Sequence, residues 1–216
     1  MGRPGEDGSI PIHHPPGPPW ENACLIGLIQ SVLVDLLHEK GGEALLRDTF
    51  VLADLPPDTR FRIDRNYADG EFERLLEAAI TTTGLSRPAL IEAYATAFLD
   101  RAKALFPGFF SLPGGARGFL RRQAAIHVSI AAGLRSPEER RDVKDKFHIE
   151  DGERGDLVVS YQSPSQLCDF YQALAYGAAR EFGETLTLTE LRCQHRDGGL
   201  GCVFRLSFPM MAVAHE

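Results

Sequence analysis

The spacing of hydrophobic residues changes near Pro137, and this change restricts the folds that the chain can adopt. Between Asn22 and about Leu134, apolar residues recur at the spacing of helix faces, with breaks at glycine and proline pairs. After Pro137, short alternating runs appear, as in half-buried strands. Because most of the helices precede the strands and only one lies among them, we expect an α+β fold, with a helical N-terminal part packed on a C-terminal antiparallel sheet with helices.

The same patterns divide the 216-residue chain into three segments of one domain. Residues 1–21 are rich in proline and lack periodicity, which predicts a disordered tail. Residues 22–136 form the predicted helical part, and residues 137–216 form the α+β part. The predicted helices cover residues 22–40, 43–50, 69–83, 86–106, 117–134 and 163–182, and the predicted strands cover residues 147–149, 157–161, 186–193 and 202–208.

Charge and hydropathy exclude several classes of partner. A net charge of −7 argues against nucleic acid or an anionic membrane surface as a partner, and no apolar run approaches the ~20 residues of a membrane span.

The N-terminus lacks a signal-peptide pattern, and four cysteines in so long a chain do not make a disulfide scaffold, so we expect a cytoplasmic protein. We find no Ser/His/Asp order, phosphate-binding loop or embedded carboxylate pair, and therefore expect no enzymatic activity.

One histidine stands in an apolar run, 124-AAIHVSI-130. On a helix, His127 has small alanines one turn away on either side, which leaves room for a flat or bulky group beside the ring. A buried imidazole needs partners for its nitrogens. The pattern leaves two interpretations open, a core histidine bonded to a backbone carbonyl and a metal ligand. The second requires a hollow beside the ring.

Several short motifs occur in an order that resembles a known family. They are 105-LFPGFF-110, 119-FL-120, Ile126-His127, 161-YQS-163, 167-LC-168, Cys193 and 202-CVF-204, with GLIQSVLVDLL and NYADGEFERLLEAAITTTGLS in the helical half. From about Leu25 to Phe208 the chain resembles the heme-nitric oxide/oxygen binding family, H-NOX. The resemblance implies that His127 binds the iron of heme b and leaves the opposite position to a gas.

The resemblance also implies a function in signalling. H-NOX domains are gas sensors, and the helix that carries His127 would transmit the signal. The chain would act without its own output domain, on a separate partner such as a histidine kinase or a cyclic-dinucleotide enzyme. The inward face of residues 25–37 is aliphatic and offers no hydrogen bond to dioxygen, which favours nitric oxide.

One family motif departs from the expected pattern. The Y-x-S-x-R motif that holds the heme propionates is here Tyr161, Ser163 and Ser165, so a serine replaces the arginine. A hydroxyl makes a neutral hydrogen bond, whereas arginine forms a charge-assisted, bidentate pair with a carboxylate. Three alternatives follow: weak heme binding, binding of the propionates by another arginine, or no heme. The candidate arginines are Arg117, Arg121 and Arg135.

Sulfur ligands form a second candidate site. Cys193 and His195 are two residues apart on a predicted strand, Cys202 begins the next strand, and Cys168 starts a helix. A Cys₃His set is a common tetrahedral zinc site, and some H-NOX-like domains have cysteines in similar positions. The alternative is that the three cysteines are small apolar residues of the core. The fourth cysteine, Cys24, has no potential ligand near it in the sequence and is predicted to be structural.

Two other functions remain open. A heme-free member of the same fold would be a binding module for another apolar ligand, or a zinc-thiolate redox sensor. A small-molecule enzyme or a purely structural interaction domain is the other class, and embedded acid/base pairs would favour the enzyme.

Overall fold

A computed structural model of the chain describes residues 24–63, 65–132, 137, 140–141, 146–162, 167–199 and 201–209. The tail predicted for residues 1–21 lies outside these ranges, as do Ser163, Ser165 and Arg135. The helices are α1 (Gly27–Leu52), α2 (Asp69–Thr83), α3 (Arg87–Leu105), α4 (Pro107–Phe110), α5 (Gly115–Arg121), α6 (Gln123–Ala131), α7 (Cys168–Glu181) and α8 (Gln194–Asp197). The strands are β1 (Cys24–Ile26), β2 (Asn66–Ala68), β3 (Phe147–Asp151), β4 (Leu157–Tyr161), β5 (Thr187–Arg192) and β6 (Cys202–Ser207).

The C-terminal strands form an antiparallel sheet in the order β3-β4-β6-β5. In this sheet Tyr161 of β4 pairs with Phe147 of β3 on one side and with Cys202 of β6 on the other. β1 and β2 form a separate two-stranded sheet beside the helices. The predicted α+β fold, helices first and antiparallel sheet second, is therefore confirmed.

Several predicted boundaries are confirmed as well. The end of α2 is fixed by Gly84, whose φ of 67° lies in the left-handed region that favours glycine. The hydroxyl of Ser86 accepts a hydrogen bond from the Ala89 N–H and caps α3. β4 covers the predicted residues 157–161.

The predicted first helix is wrong at its start and correct at its end. Cys24–Ile26 form β1 because their backbone pairs with β2, and the N–H of Gly27 donates to the Arg65 carbonyl at 2.7 Å. The predicted stop at the glycine pair is confirmed: Gly42 has φ 65° and ψ −163°, which are not helical, and it separates two helical segments within the range of α1, the second of which ends at Leu52.

The predicted helix over residues 117–134 is broken at Arg122. The N–H of Arg122 donates to the carbonyls of both Gly118 (3.2 Å) and Phe119 (3.1 Å), the tighter bonding of a 3₁₀ turn. Two short helices result, α5 before the break and α6 after it. The candidate ligand His127 lies on α6.

The apolar side chains form two clusters that meet at α7. The first joins α1, α2 and α3 to Phe170, whose ring stacks on Tyr94 with centroids 4.3 Å apart. The second joins the sheet to α5 and to Tyr171 and its neighbours on α7. Since consecutive residues of α7 face different clusters, the first turns of this helix form the junction between the two parts of the fold.

Candidate functional site

The imidazole of His127 lies between α6 and the first strand of the large sheet. The side chain is half-buried, but its Nδ1 atom is fully buried and has no hydrogen-bond partner among the described residues. The ring of Phe147 packs against it, with centroids 4.7 Å apart. Buried polar atoms are rarely left without a partner, so this nitrogen suggests a missing ligand.

Two apolar cavities adjoin His127. One has a volume of about 110 Å³ and the other about 100 Å³; they adjoin each other, since several residues line both, and are called here the first and second lobes. The shared residues are Ile29, Phe98, Gln123, His127 and Leu174. The first lobe extends between α1, α3 and α4 and is lined further by Leu28, Leu99, Ala102, Phe106, Phe109, Phe110, Phe119 and Ile126. The second extends toward the sheet and is lined further by Lys146, Phe147, Tyr161, Leu167, Phe170 and Tyr171.

Three unsatisfied polar atoms belong to residues that line the second lobe. Besides His127 Nδ1, these are the Gln123 Oε1 atom and the Tyr171 hydroxyl, each buried without a hydrogen-bond partner in the described part of the chain. Gln123 precedes His127 by one helical turn, and Tyr171 is on the facing helix α7. Three such atoms around one apolar space are typical of a binding site whose ligand supplies the partners.

Burial keeps the imidazole uncharged. Loss of solvent, and secondarily the positive charge of Lys146, lower the pKa of His127 to about 3. Burial likewise raises the pKa of Tyr171 well above its usual value. At neutral pH both groups are uncharged, and a neutral imidazole is the form that binds metals.

The other residues predicted for heme binding divide into three groups. Tyr161 lines the second lobe, as a propionate contact would. Ser163 and Ser165 lie outside the described residues. Arg117 and Arg121 are at the other end of β3, where their hydrogen bonds hold the pKa of Asp151 at about 2.

The structure brings three of the four predicted sulfur-site residues together. The Sγ atoms of Cys168, Cys193 and Cys202 lie within 4.8 Å of one another. Cys193 and Cys202 are buried, and Cys168, at the start of α7, is half-buried. Burial is the main cause that raises the pKa of Cys168 to about 12, so without a metal this group is a neutral thiol.

His195 does not join these thiols. The prediction placed it on a strand with Cys193, but β5 ends at Arg192 and the next residues turn into α8. The Asp197 carboxylate accepts a hydrogen bond from the Cys193 N–H at 2.8 Å, which holds this turn. His195 is exposed there, with Gln194 as its side-chain neighbour.

The sequence pattern did not identify Gln123, Lys146 or Tyr171 as site residues. Gln123 is four residues before His127, and this spacing on a helix could have suggested it. Tyr171 follows the apolar pattern of its helix and is predicted only as core. Lys146 stands in a mixed-charge segment that resembles a solvated connector, so nothing in the local sequence distinguishes it.

Solved H-NOX structures have the same fold as this chain. The H-NOX protein from S. oneidensis in the Fe(II)NO ligation state matches with a TM-score of 0.71 and 16% identity, over 85% of this chain and 99% of that chain. An oxygen-binding H-NOX domain related to soluble guanylate cyclases, in its oxygen complex, matches with a TM-score of 0.68 and 15% identity, over 89% and 99%. A Cs H-NOX mutant that contains 4-cyano-L-phenylalanine matches with a TM-score of 0.70 and 16% identity, over 89% and 100%.

Sequence comparison gives a family as well. The family model described as Haem-NO-binding matches residues 26–190, which is most of the chain. A comparison with curated proteins finds no match. Among the described helices, none has the length and apolar character needed to cross a membrane. The family match and the shared fold agree, and the chain therefore belongs to the haem-NO-binding family of heme-based gas sensor domains.

Proposed function

We propose that this protein is a heme-based sensor of nitric oxide that regulates a separate signalling protein. The observation that carries the proposal is the buried, unpartnered nitrogen of His127 beside an apolar space. A core histidine would direct its buried nitrogen to a backbone carbonyl, and here the described residues offer none.

The residues around the space fit a heme. His127 would hold the iron, the aromatic and aliphatic walls would contact the macrocycle, and Tyr161 would approach a propionate. The two lobes are smaller than the ~300 Å³ at the lower end of ligand pockets, so their walls must separate on binding. When bound, the heme iron supplies a site for a diatomic gas opposite the histidine.

The walls support selectivity for nitric oxide over dioxygen. Bound dioxygen is stabilised by a hydrogen-bond donor, and among the described residues that line the first lobe only Gln123 and His127, both on the helix of the proposed iron ligand, have polar side chains. The nearby Tyr94 hydroxyl is already used, since it donates to the Ile29 carbonyl at 2.7 Å. We expect the reduced, heme-loaded protein to bind nitric oxide and to form no stable complex in air.

Visible spectroscopy of the heme-titrated protein tests the proposal. We expect a saturable Soret band that shifts with nitric oxide and is lost in His127→Ala. His148→Ala is the matched control, because His148 lies on β3, exposed and paired with Glu150. A wild-type protein that gains no band at excess heme, or a band equally strong in His127→Ala, would contradict the proposal.

Family membership supports the choice of partner. We propose a histidine kinase or a cyclic-dinucleotide enzyme, and a cytoplasmic location, in which Cys168, Cys193 and Cys202 stay reduced. A purified candidate kinase should change its autophosphorylation rate when the heme-loaded chain is added, and nitric oxide should reverse that change. An equal rate with and without the chain would exclude that partner.

A second proposal concerns the three thiols. We propose that Cys168, Cys193 and Cys202 bind zinc and that oxidation releases it, because their sulfurs are already within 4.8 Å of one another. Zn–S bonds of ~2.3 Å in a tetrahedral site need sulfurs ~3.8 Å apart, which requires only a small approach. The exposed His195 leaves the fourth position to water or another ligand.

Metal analysis tests this second proposal. We expect one zinc per chain in the reduced wild type and none in Cys193→Ser. His195→Ala should retain the metal, because this side chain lies on α8 away from the thiols. Absence of zinc from the reduced wild type, purified with zinc present, would rule the site out.

A further inference from the structure

The two lobes beside His127 contain one charged side chain among their described lining residues, Lys146. Every other described lining residue is apolar, aromatic or a neutral amide or imidazole at pH 7. An ammonium next to an apolar space is favourable where the ligand brings a negative charge to that end. Its charge is close enough to His127 to contribute to the lowered pKa of the imidazole.

The backbone of Lys146 pairs with Gln162, the residue after Tyr161. The N–H of Gln162 donates to the Lys146 carbonyl at 2.9 Å, which extends the β3–β4 ladder by one step beyond the Phe147–Tyr161 pair. Lys146 is therefore opposite the middle residue of the Tyr161-Gln162-Ser163 stretch. It lines the same lobe as Tyr161, the residue that matches the motif's first position.

Arg117 and Arg121, the described arginines considered for this task, lie at the other end of β3 from Lys146. Arg117 donates to the Gly155 carbonyl (2.6 Å) and to Asp151 (2.7 Å), and Arg121 donates to Asp151 (2.6 Å). Asp151 ends β3, four residues and about 13 Å from Phe147 at the spacing of an extended strand. The serine at position 165 supplies no charge.

We propose that the Lys146 ammonium binds a propionate carboxylate of the heme and so replaces the arginine missing from the motif. The inference rests on the proposed heme-binding function and names a specificity-determining residue for it. A lysine provides a point charge without the bidentate geometry of arginine. It should therefore still favour a porphyrin with free carboxylates, but it should orient the carboxylate less strictly. The loss of one charge-assisted hydrogen bond weakens binding by about ten- to a hundredfold.

Affinity measurements with two porphyrins test this role. Protoheme and its dimethyl ester, which has no free carboxylate, are titrated into the full chain and followed by absorbance. We expect the wild type to bind protoheme at least tenfold more tightly than the ester. Lys146→Met should lose that preference by weakening protoheme alone, and Lys146→Arg should retain it. Lys40→Met, an exposed position on α1, is the matched control and should behave as wild type.

The outcomes separate this inference from the proposed function. Equal wild-type affinities for the two porphyrins would overturn the role of Lys146 and leave heme binding intact, and this comparison needs no variant to fold. An unchanged preference in a folded Lys146→Met would overturn it too. Failure of the wild type to bind either porphyrin would overturn the proposed function and the inference together. The thermal midpoint is a second readout, since protoheme should raise it more in wild type than in Lys146→Met.

Discussion

At the scale of single residues, the unsatisfied polar atoms around the cavity distinguish a binding site from an ordinary core. Tyr94 and Tyr171 illustrate the difference, because both side chains are almost completely buried. The Tyr94 hydroxyl donates to the Ile29 carbonyl at 2.7 Å, whereas the Tyr171 hydroxyl has no partner among the described residues. An unsatisfied buried hydroxyl lowers the stability of the ligand-free protein, so we infer that the Tyr171 hydroxyl serves ligand binding and not folding.

This pair gives a stability prediction. In the heme-free protein, Tyr171→Phe should leave the free energy of unfolding unchanged or raise it by up to about 1 kcal/mol, because it removes an unsatisfied hydroxyl. Tyr94→Phe should lower it by about 1 kcal/mol, because it breaks a hydrogen bond and leaves a buried carbonyl unpaired. Denaturant unfolding measures both, and an equal loss in the two variants would contradict the assignment.

The lowered pKa of His127 gives a pH prediction. The unfolded chain takes up a proton near the ordinary value of 6.5, and the folded imidazole resists until about 3. The free energy of unfolding of heme-free protein should therefore fall as the pH drops from 7 to 4, by up to about 1.4 kcal/mol per unit. His127→Leu should flatten this slope, and His148→Leu, at an exposed position, should not. Parallel slopes in wild type and His127→Leu would contradict the burial of the imidazole.

At this scale the sequence predicts some site residues and misses others. His127 stands out because a titratable group inside an apolar helix face breaks the local pattern. Tyr171 fits the apolar face of its predicted helix, so the sequence does not distinguish it from a core residue. Lys146 lies at the wall of the cavity, and its backbone pairs with Gln162 where β3 meets β4. This contact joins two strands, so local spacing in the sequence does not contain it.

At the scale of elements, the start of α1 positions residues of the cavity wall. The start of α1 is fixed by Gly27, where a Cβ atom would lie 2.2 Å from the Arg62 carbonyl oxygen. This close contact with backbone holds the first turn of α1, including Leu28 and Ile29, at the wall of the cavity. Only a residue without a side chain fits there.

Substitution at this contact should be costly. Gly27→Ala should lower the free energy of unfolding by about 1–3 kcal/mol, because the backbone of residue 62 must move to relieve the overlap. Gly108→Ala is the matched control, since nothing lies within 4 Å of the added atom, and its effect should be neutral or slightly stabilising. Thermal or denaturant unfolding distinguishes them, and similar midpoints would contradict the close approach.

Helices with strong local signals were predicted well. The break at Arg122 and the short strand β1, which lack such signals, were missed. α2 has its periodicity and its terminal Gly84, and α3 has its Ser86 cap, so both were placed correctly. The break at Arg122 has no glycine or proline to mark it. β1 is only three residues long, and its pairing with β2 overrides the helical pattern of its sequence.

At the scale of the whole molecule, the two proposed sites share a wall. Tyr161, beside the heme cavity, pairs in register with Cys202 of the thiol group. Cys168 of the same group follows Leu167, which lines the cavity. The end of β4 and the start of α7 therefore belong to both sites, and we expect ligand binding at one site to affect the other.

This shared wall predicts coupling between the two ligands. Zinc bound by the thiols would fix the start of α7 and tighten heme binding, by about fivefold or more if the coupling is typical. Heme titrations with zinc present and after chelation measure the factor, and zinc affinity should rise by the same factor when heme is bound. Cys193→Ser should abolish the zinc dependence. Identical heme affinities with and without zinc in the wild type would refute the coupling.

The break at Arg122 has a consequence for the direction in which a signal travels. α5, on one side, is tied to the sheet through Arg117 and Arg121, while α6, on the other, carries His127. A displacement of His127 by the proposed heme iron should therefore rotate the nine-residue helix α6 about this break, and the contact of His127 with Phe147 should pass part of the displacement to β3. We expect the largest displacement at the far end of α6, near Ala132, so the proposed partner should contact the protein there.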